Sequence, residues 1–229
     1  MLNLMRLEMK KYQLGSYVKA AIIANFVIAG FMFMILFISK IEEDSAIENY
    51  QIALTVIDSF VRGVFIVFAA TLIAKLIIGE YKNRTITTAF MYPIKRKKLI
   101  AAKLAIVIIF TFVAIIVSNV FITTIFCLVS TTYQLIPDTL TTTVIMQQIP
   151  SMFMNAIAAT GMSLIPLYFG MKKYSIPTTI LSSLLIVMVV SSNTGNFSLN
   201  DIIVIPITLA IIGIIIAYLS IRNIESVDV

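Results

Sequence analysis

Six runs of mostly apolar residues, separated by short polar connectors, account for most of this chain. A helix needs about 20 such residues to cross the roughly 30 Å hydrocarbon layer of a bilayer, where no water is present to satisfy a bare backbone. The runs extend from Val18 to Ser39, Ser59 to Ile78, Leu104 to Val129, Ile149 to Gly170, Ser175 to Ser192 and Ile202 to Ile221. They predict an all-α membrane protein with one transmembrane domain over residues 1–229, and they leave too little chain for a sizeable soluble domain. The composition agrees: 60% of the 229 residues are hydrophobic and 12% are charged, a balance no water-soluble core requires. The first run is too long for the apolar part of a cleavable signal and no small-residue cleavage site follows it, so it is expected to be retained.

Local residues refine these spans. The third run exceeds one crossing and is expected to tilt or project. Pro150 and Pro166 stand near the start and end of the fourth, and Pro177 suits the first turn of the fifth. Asn200 or Asp201 is positioned to cap the sixth, with Pro206 in its first turns.

Charge sets the orientation. Arg6, Lys10, Lys11 and Lys19 precede or open the first span, seven cations from Lys82 to Lys103 separate the second and third, and Lys172 and Lys173 follow the fourth. The alternate connectors are nearly free of cations and carry acids, among them Glu42, Glu43, Asp44, Glu48 and Asp58. Cations are retained on the cytoplasmic side, so six spans with both termini in the cytoplasm are predicted. The net charge of +6 then reflects membrane topology and anionic headgroups, and nucleic acid is not implied as a partner.

Several chemistries lack their residues. The chain has no His and a single Cys, Cys127, which removes the usual zinc and metalloprotease ligand sets. The spans as drawn contain no Asp or Glu, which argues against aspartyl catalysis and against a carboxylate proton relay. Lys75 lies near enough to the cytoplasmic edge to snorkel, leaving a Ser–Lys dyad without support. Arg62 lies three residues into the second span, with Asp58 one helical turn earlier on the same face. The two are expected to pair at the outer interface as an anchor, the alternative being a contact for an anionic solute. No GxxxxGK[ST] phosphate-binding loop occurs, so the chain is not expected to hydrolyse nucleotide by itself.

The connector "GEYKNRTITTAFMYPIKRKKLIAAK", Gly79 to Lys103, is more than a solvated loop. Ile86, Ala89, Phe90 and Pro93 recur at helical spacing, which predicts a short amphipathic helix ended by Pro93 and needing a partner surface. Lys95 to Lys98 alone would suit lipid headgroups. The N-terminal residues 1–17 place Asn3, Arg6, Lys10 and Gln13 on one stripe and Leu2, Met5, Met9 and Tyr12 on another, as an interfacial helix does.

The order Glu80, Tyr81, Thr85, Pro93, Arg96, Leu99, Ile100 and Lys103 resembles the cytoplasmic connector of type 2 ATP-binding-cassette (ABC-2) permeases, although Arg84 stands where that family often has Gly. The resemblance implies that residues 79–103 are a coupling segment docking on a separate ATPase. Glu80, Tyr81, Arg84, Thr85, Ile86, Ala89, Phe90, Pro93 and Arg96 would form the contact, with Glu80, Lys82 and Arg84 pairing at the groove rim. It also implies two permeases, identical or homologous, in a bacterial cytoplasmic membrane, ATP bound only by the partner subunits, and no cofactor in this chain. Small permeases of this kind often export antimicrobial or cytolytic peptides or confer immunity to them. An external helical hairpin between the last two spans is common in the family, and here "SSNTGNFSLND" is too short for a long one.

For the pathway, Asn119, Thr123, Asn155 and Ser182 are the candidate contacts, because a bare amide or hydroxyl in lipid needs a partner. Ala156, Ala159, Gly161 and Ser163 read more as close helix packing. With no acid in the spans as drawn, apolar or amphipathic cargo is favoured over strongly cationic solutes. A channel or secondary carrier working without an ATPase, and a membrane scaffold, are the alternatives from other classes.

Overall fold

The computed structural model describes residues 2–12, 14–41, 49–83, 96–133, 142–191, 193–194, 197–198 and 204–222. Among them the order is α1 (Leu2–Lys11), α2 (Leu14–Ile41), α3 (Tyr50–Ile73), a π-helical turn (Ala74–Ile78), α4 (Gly79–Lys82), α5 (Arg96–Tyr133), α6 (Thr142–Met162), α7 (Pro166–Lys173), α8 (Ile176–Val190), strands β1 (Asn193–Thr194) and β2 (Phe197–Ser198), and α9 (Val204–Arg222). Four helical runs are long and apolar enough to cross a membrane: Gly15–Ile38, Tyr50–Lys82, Lys97–Tyr133 and Gln148–Lys173. Two shorter apolar helices, Ile176–Val190 and Ile207–Ser220, lie within the fifth and sixth runs.

Three expectations need adjustment. The second helix begins at Tyr50, well before Ser59, because the preceding residues already carry a buried stripe: Tyr50, Ala53, Leu54, Ile57 and Val61 recur at helical spacing and are each at most 3% exposed. The fourth span is two helices. Pro166 has no N–H and excludes the turn before it, so the chain tightens at Ser163–Ile165 through N–H bonds from Leu164 to Gly161 and from Ile165 to Met162. Pro166 then opens α7 at its first position. Pro150 lies inside α6, since that helix starts at Thr142. Pro177 does occupy the first turn of α8, and Pro206 the first turn of α9. Between these two helices Asn193 pairs with Ser198 and Thr194 with Phe197 in a short antiparallel ladder.

The chain divides into two compact units. One comprises Gly15–Val64 and Val113–Ala156. Its aromatic contacts include Phe26 edge-on to Phe121 and Phe33 stacked on Phe126, and the Tyr50 hydroxyl lies 3.1 Å from the Ser130 hydroxyl. The other comprises Met1–Leu14, Phe65–Phe112 and Ile157–Val229. There Ala158, Met162 and Ile165 form a core with Ile186, Val190, Leu209 and Ile216. A Cβ on Gly161 would come within 2.6 Å of the Ala210 Cβ, and one on Gly213 would strike the Gly161 carbonyl oxygen. Here the small residue at 161 marks close helix packing, as its neighbours in sequence led us to expect.

Several hydroxyls in these helices bond to their own backbone. Thr111 donates to the Val107 carbonyl, Thr124 to Val120, Ser163 to Thr160 and Ser183 to Ile180, at 2.7–2.8 Å. Such back-bonding satisfies a hydroxyl in lipid without a second helix.

Candidate functional site: two buried ionic clusters

Among the described residues, each unit holds a buried ionic cluster. In the first unit, Asp58 and Arg62 lie one turn apart on α3, and the Arg62 Nε is 3.1 Å from the Asp58 Oδ2. This is the pairing that the helical spacing predicted. Its depth differs from expectation: Asp58 is 2% exposed and Arg62 5%, because both belong to the buried stripe that begins at Tyr50. The inference that no span contains an acid is therefore corrected. Asp58 is inside α3, and the apolar stretch preceding it, not a connector, carries it there.

Asn119 of α5 donates its Nδ2 to the Asp58 Oδ1 at 2.9 Å, and Asn155 of α6 donates to the Oδ2 at 2.8 Å. Arg62 further donates from Nε to the Asp58 carbonyl at 3.3 Å and from Nη2 to the Ser59 hydroxyl at 3.1 Å. Two of the expected pathway residues thus converge on one carboxylate. Their amides, which in lipid would need a partner, each have one in this carboxylate. Asp58 is thus a buried acid held by a guanidinium and two amides.

The other two pathway candidates do not join this cluster. Ser182 is buried on α8 and donates to the Thr179 carbonyl at 2.8 Å. Thr123 is half-buried on α5.

The second cluster gathers residues from α1, α4 and α5. Glu80 is 4% exposed and Lys103 1%. The Lys103 ammonium pairs with the Glu80 Oε2, donates to the Leu76 carbonyl oxygen at 3.0 Å, and lies 3.6 Å from the Glu8 carboxylate of α1. On the other oxygen of Glu80, Lys11 donates at 2.6 Å and the Tyr12 hydroxyl donates as well. Burial, reinforced by the Glu80 carboxylate, pushes the Tyr12 phenol well above its ordinary range, so it stays protonated and remains a donor. The Lys11 ammonium also stands 5.1 Å from the Tyr12 ring centroid and that of Lys103 5.5 Å, within cation–π range. Two acids and two lysines make the cluster close to neutral, which is what permits Lys103 to be buried at all.

Two expectations change at this cluster. Glu80 is not a rim charge facing outward, since its carboxylate is engaged within the chain. The interfacial reading of α1 omitted Glu8, which is buried and faces Lys103, whereas Leu7 is 66% exposed. Tyr81, the next residue of the connector pattern, stacks on Tyr174 with ring centroids 5.7 Å apart. Arg96 opens α5. Arg84, Thr85, Ile86, Ala89, Phe90 and Pro93, and with them the expected amphipathic helix, lie outside the described residues. Lys11, Tyr12 and Glu8 were not singled out with the connector in the sequence. The one available signal was an acid and an aromatic hydroxyl on an otherwise basic amphipathic segment.

Comparison with known proteins bears on what this arrangement serves. Residues 34–165 match the family described as ABC-2 family transporter protein. An uncharacterized protein, YcbO of Bacillus subtilis (strain 168), is 43% identical over 227 residues, covering 99% of this chain and 100% of that relative. No solved structure matches.

Proposed function

Because this chain belongs to the ABC-2 transporter family and is a membrane transport subunit, we propose that it is the permease of an ATP-driven exporter, coupled through residues 79–103 to a separate ATPase. The observation that carries this reading is the second ionic cluster. Glu80 and Lys103 bracket the connector in sequence and pair with each other, and Lys11 and Tyr12 tie that pair to α1. A connector with clamped ends transmits a push or pull on its middle into the helices that follow, whereas free ends would absorb it. Ile86, Ala89 and Phe90 supply apolar anchors for a groove on the ATPase, and Arg84 and Lys82 supply charges at its rim. The chain contains no phosphate-binding loop, so the energy comes from the partner.

A second permease, identical or homologous, completes the pathway in the bacterial cytoplasmic membrane. The cargo we favour is apolar or amphipathic, antimicrobial or cytolytic peptides being the class we would try first. The buried acid Asp58 supports this choice, since it already carries its own cation, Arg62, and offers no uncompensated charge to a cationic solute.

The test is purification in mild detergent of the native chain and of an Ile86→Asp, Phe90→Asp variant, followed by identification of co-purifying proteins. A stoichiometric P-loop ATPase with the native chain, absent with a correctly inserted variant, is the expected result. An inserted native chain that brings down no ATPase would overturn the proposal in favour of a carrier or scaffold.

A further inference from the structure

The helix that delivers Glu80 to its partners is not a regular α-helix. Between α3 and α4 the residues Ala74–Ile78 form a π-helical turn, in which the Gly79 N–H reaches back five residues to the Ala74 carbonyl. Regular α-helical bonding resumes at once, the Asn83 N–H bonding to the Gly79 carbonyl at 3.0 Å. A π turn accommodates one residue more than an α turn and is less favourable than the α-helix it interrupts. It also sets orientation. With that residue absorbed, the helix beyond keeps the face it would have without it. If the turn relaxed to α geometry with every residue present, everything beyond would rotate by about 100°.

The turn is surrounded by contacts that depend on its register. Ala74, Leu76, Ile77 and Ile78 are buried, while Lys75 is exposed. Ile78 lies against Gly170 of α7, where an added Cβ would come within 2.9 Å of the Ile78 Cδ1. Beyond the turn, Tyr81 stacks on Tyr174. One residue touches both sides of it: Lys103 donates to the carbonyl of Leu76, inside the turn, and pairs with Glu80, beyond it. These two contacts are simultaneously available to one ammonium only in the π register, because a rotation of about 100° would carry the Glu80 side chain away from α5.

We propose that the π turn Ala74–Ile78 is a two-state register switch at the entrance to the coupling segment, and that Lys103 is the positioning residue that holds it in the π state. In the alternative α state Glu80 and Tyr81 turn away from Lys103 and Tyr174, and the connector is presented at a different angle. The role in transport rests on the coupling reading above. The register itself is a property of this chain and is measurable without an ATPase, so the two can fail separately.

The test uses the full chain in membranes with Cys127→Ala, Tyr81→Cys and Tyr174→Cys, joined by a short bifunctional thiol reagent. The parent should cross-link well. Lys103→Met should lower the yield about tenfold, the weight of one charge-assisted hydrogen bond. Deleting Lys75 removes the extra residue and should leave cross-linking intact, since a plain α-helix then presents the same face. The decisive variant combines Lys103→Met with the Lys75 deletion. The cross-linking yield per inserted molecule should return, because no strained register remains to be held, even though Glu80 still lacks the Lys103 ammonium. A merely structural lysine would not be rescued by shortening a different helix. Unchanged cross-linking in Lys103→Met, or failure of the deletion to restore it, overturns the proposal. If the register behaves as stated, yet a Lys75-deleted chain exports as well as the native one, the switch exists but plays no part in transport.

Discussion

Glu80 and Lys103, 23 residues apart and each less than 5% exposed, meet carboxylate to ammonium inside the protein. Their pairing closes the connector between α4 and α5 at its base. Removing one partner leaves the other charge buried and unpaired, which costs about 3–5 kcal/mol. Lys103→Ala and Glu80→Ala should therefore each lower the thermal stability of the detergent-solubilised chain substantially. Lys11→Ala should cost no more than about 1 kcal/mol, because that side chain is half exposed and its pair is screened by solvent. Equal losses for Lys11→Ala and Lys103→Ala would contradict the burial difference between them.

The Asp58–Arg62 pair lends itself to a double-mutant cycle. Asp58→Leu strands a buried guanidinium and removes the partner of two amides, and Arg62→Met strands a carboxylate. Each single change should destabilise by about 3–5 kcal/mol. The Asp58→Leu, Arg62→Met double variant should be more stable than either single one, as apolar replacement of a whole buried pair is often neutral. Simple addition of the two penalties would show that the pair does not interact in the way its 3.1 Å separation indicates.

Asn119 and Asn155 each donate one hydrogen bond to the same carboxylate, at 2.9 and 2.8 Å. Asn119→Leu and Asn155→Leu should each cost about 1.5–3 kcal/mol, the range for a hydrogen bond to a charged group. Either loss should shrink in an Asp58→Leu background. If these residues served the cargo directly, transport would fall while stability held, so measuring both separates the pathway reading from the structural one.

Gly213 faces the Gly161 carbonyl too closely for any side chain. Gly213→Ala should cost about 1–3 kcal/mol through overpacking, and Gly213→Leu more. Gly15 and Gly30, with open space where a Cβ would stand, should accept Ala with no loss. The comparison checks that the contact of α6 with α9, not glycine content, sets the sensitivity.

Much of this protein was decided by local chemistry that the sequence displays. Long apolar runs must be helical in lipid because only a helix satisfies its own backbone there, and each of the four long helical runs overlaps one of the first four apolar runs, though with different ends. Arg62 pairs with Asp58 because four residues make one helical turn, whatever surrounds them. Pro177 opens α8 because its missing N–H is no loss in a first turn. The burial of Asp58 was also legible, in the stripe from Tyr50 to Val61, but averaged hydropathy reads a charged residue as the end of a span and so hid it. The tertiary structure alone decided the rest. That Asn119 and Asn155 reach one carboxylate, and that Lys103 finds Glu80, Leu76 and Glu8, depends on which faces of separate helices come together. The π turn belongs to the same class: nothing in "AKLII" forbids an α-helix, and the register is chosen by contacts with Lys103 and Gly170 that lie far along the chain. Periodicity and capping act over one or two turns and leave their mark in adjacent residues, whereas a buried charge selects its partner through space, and sequence order carries no record of that choice.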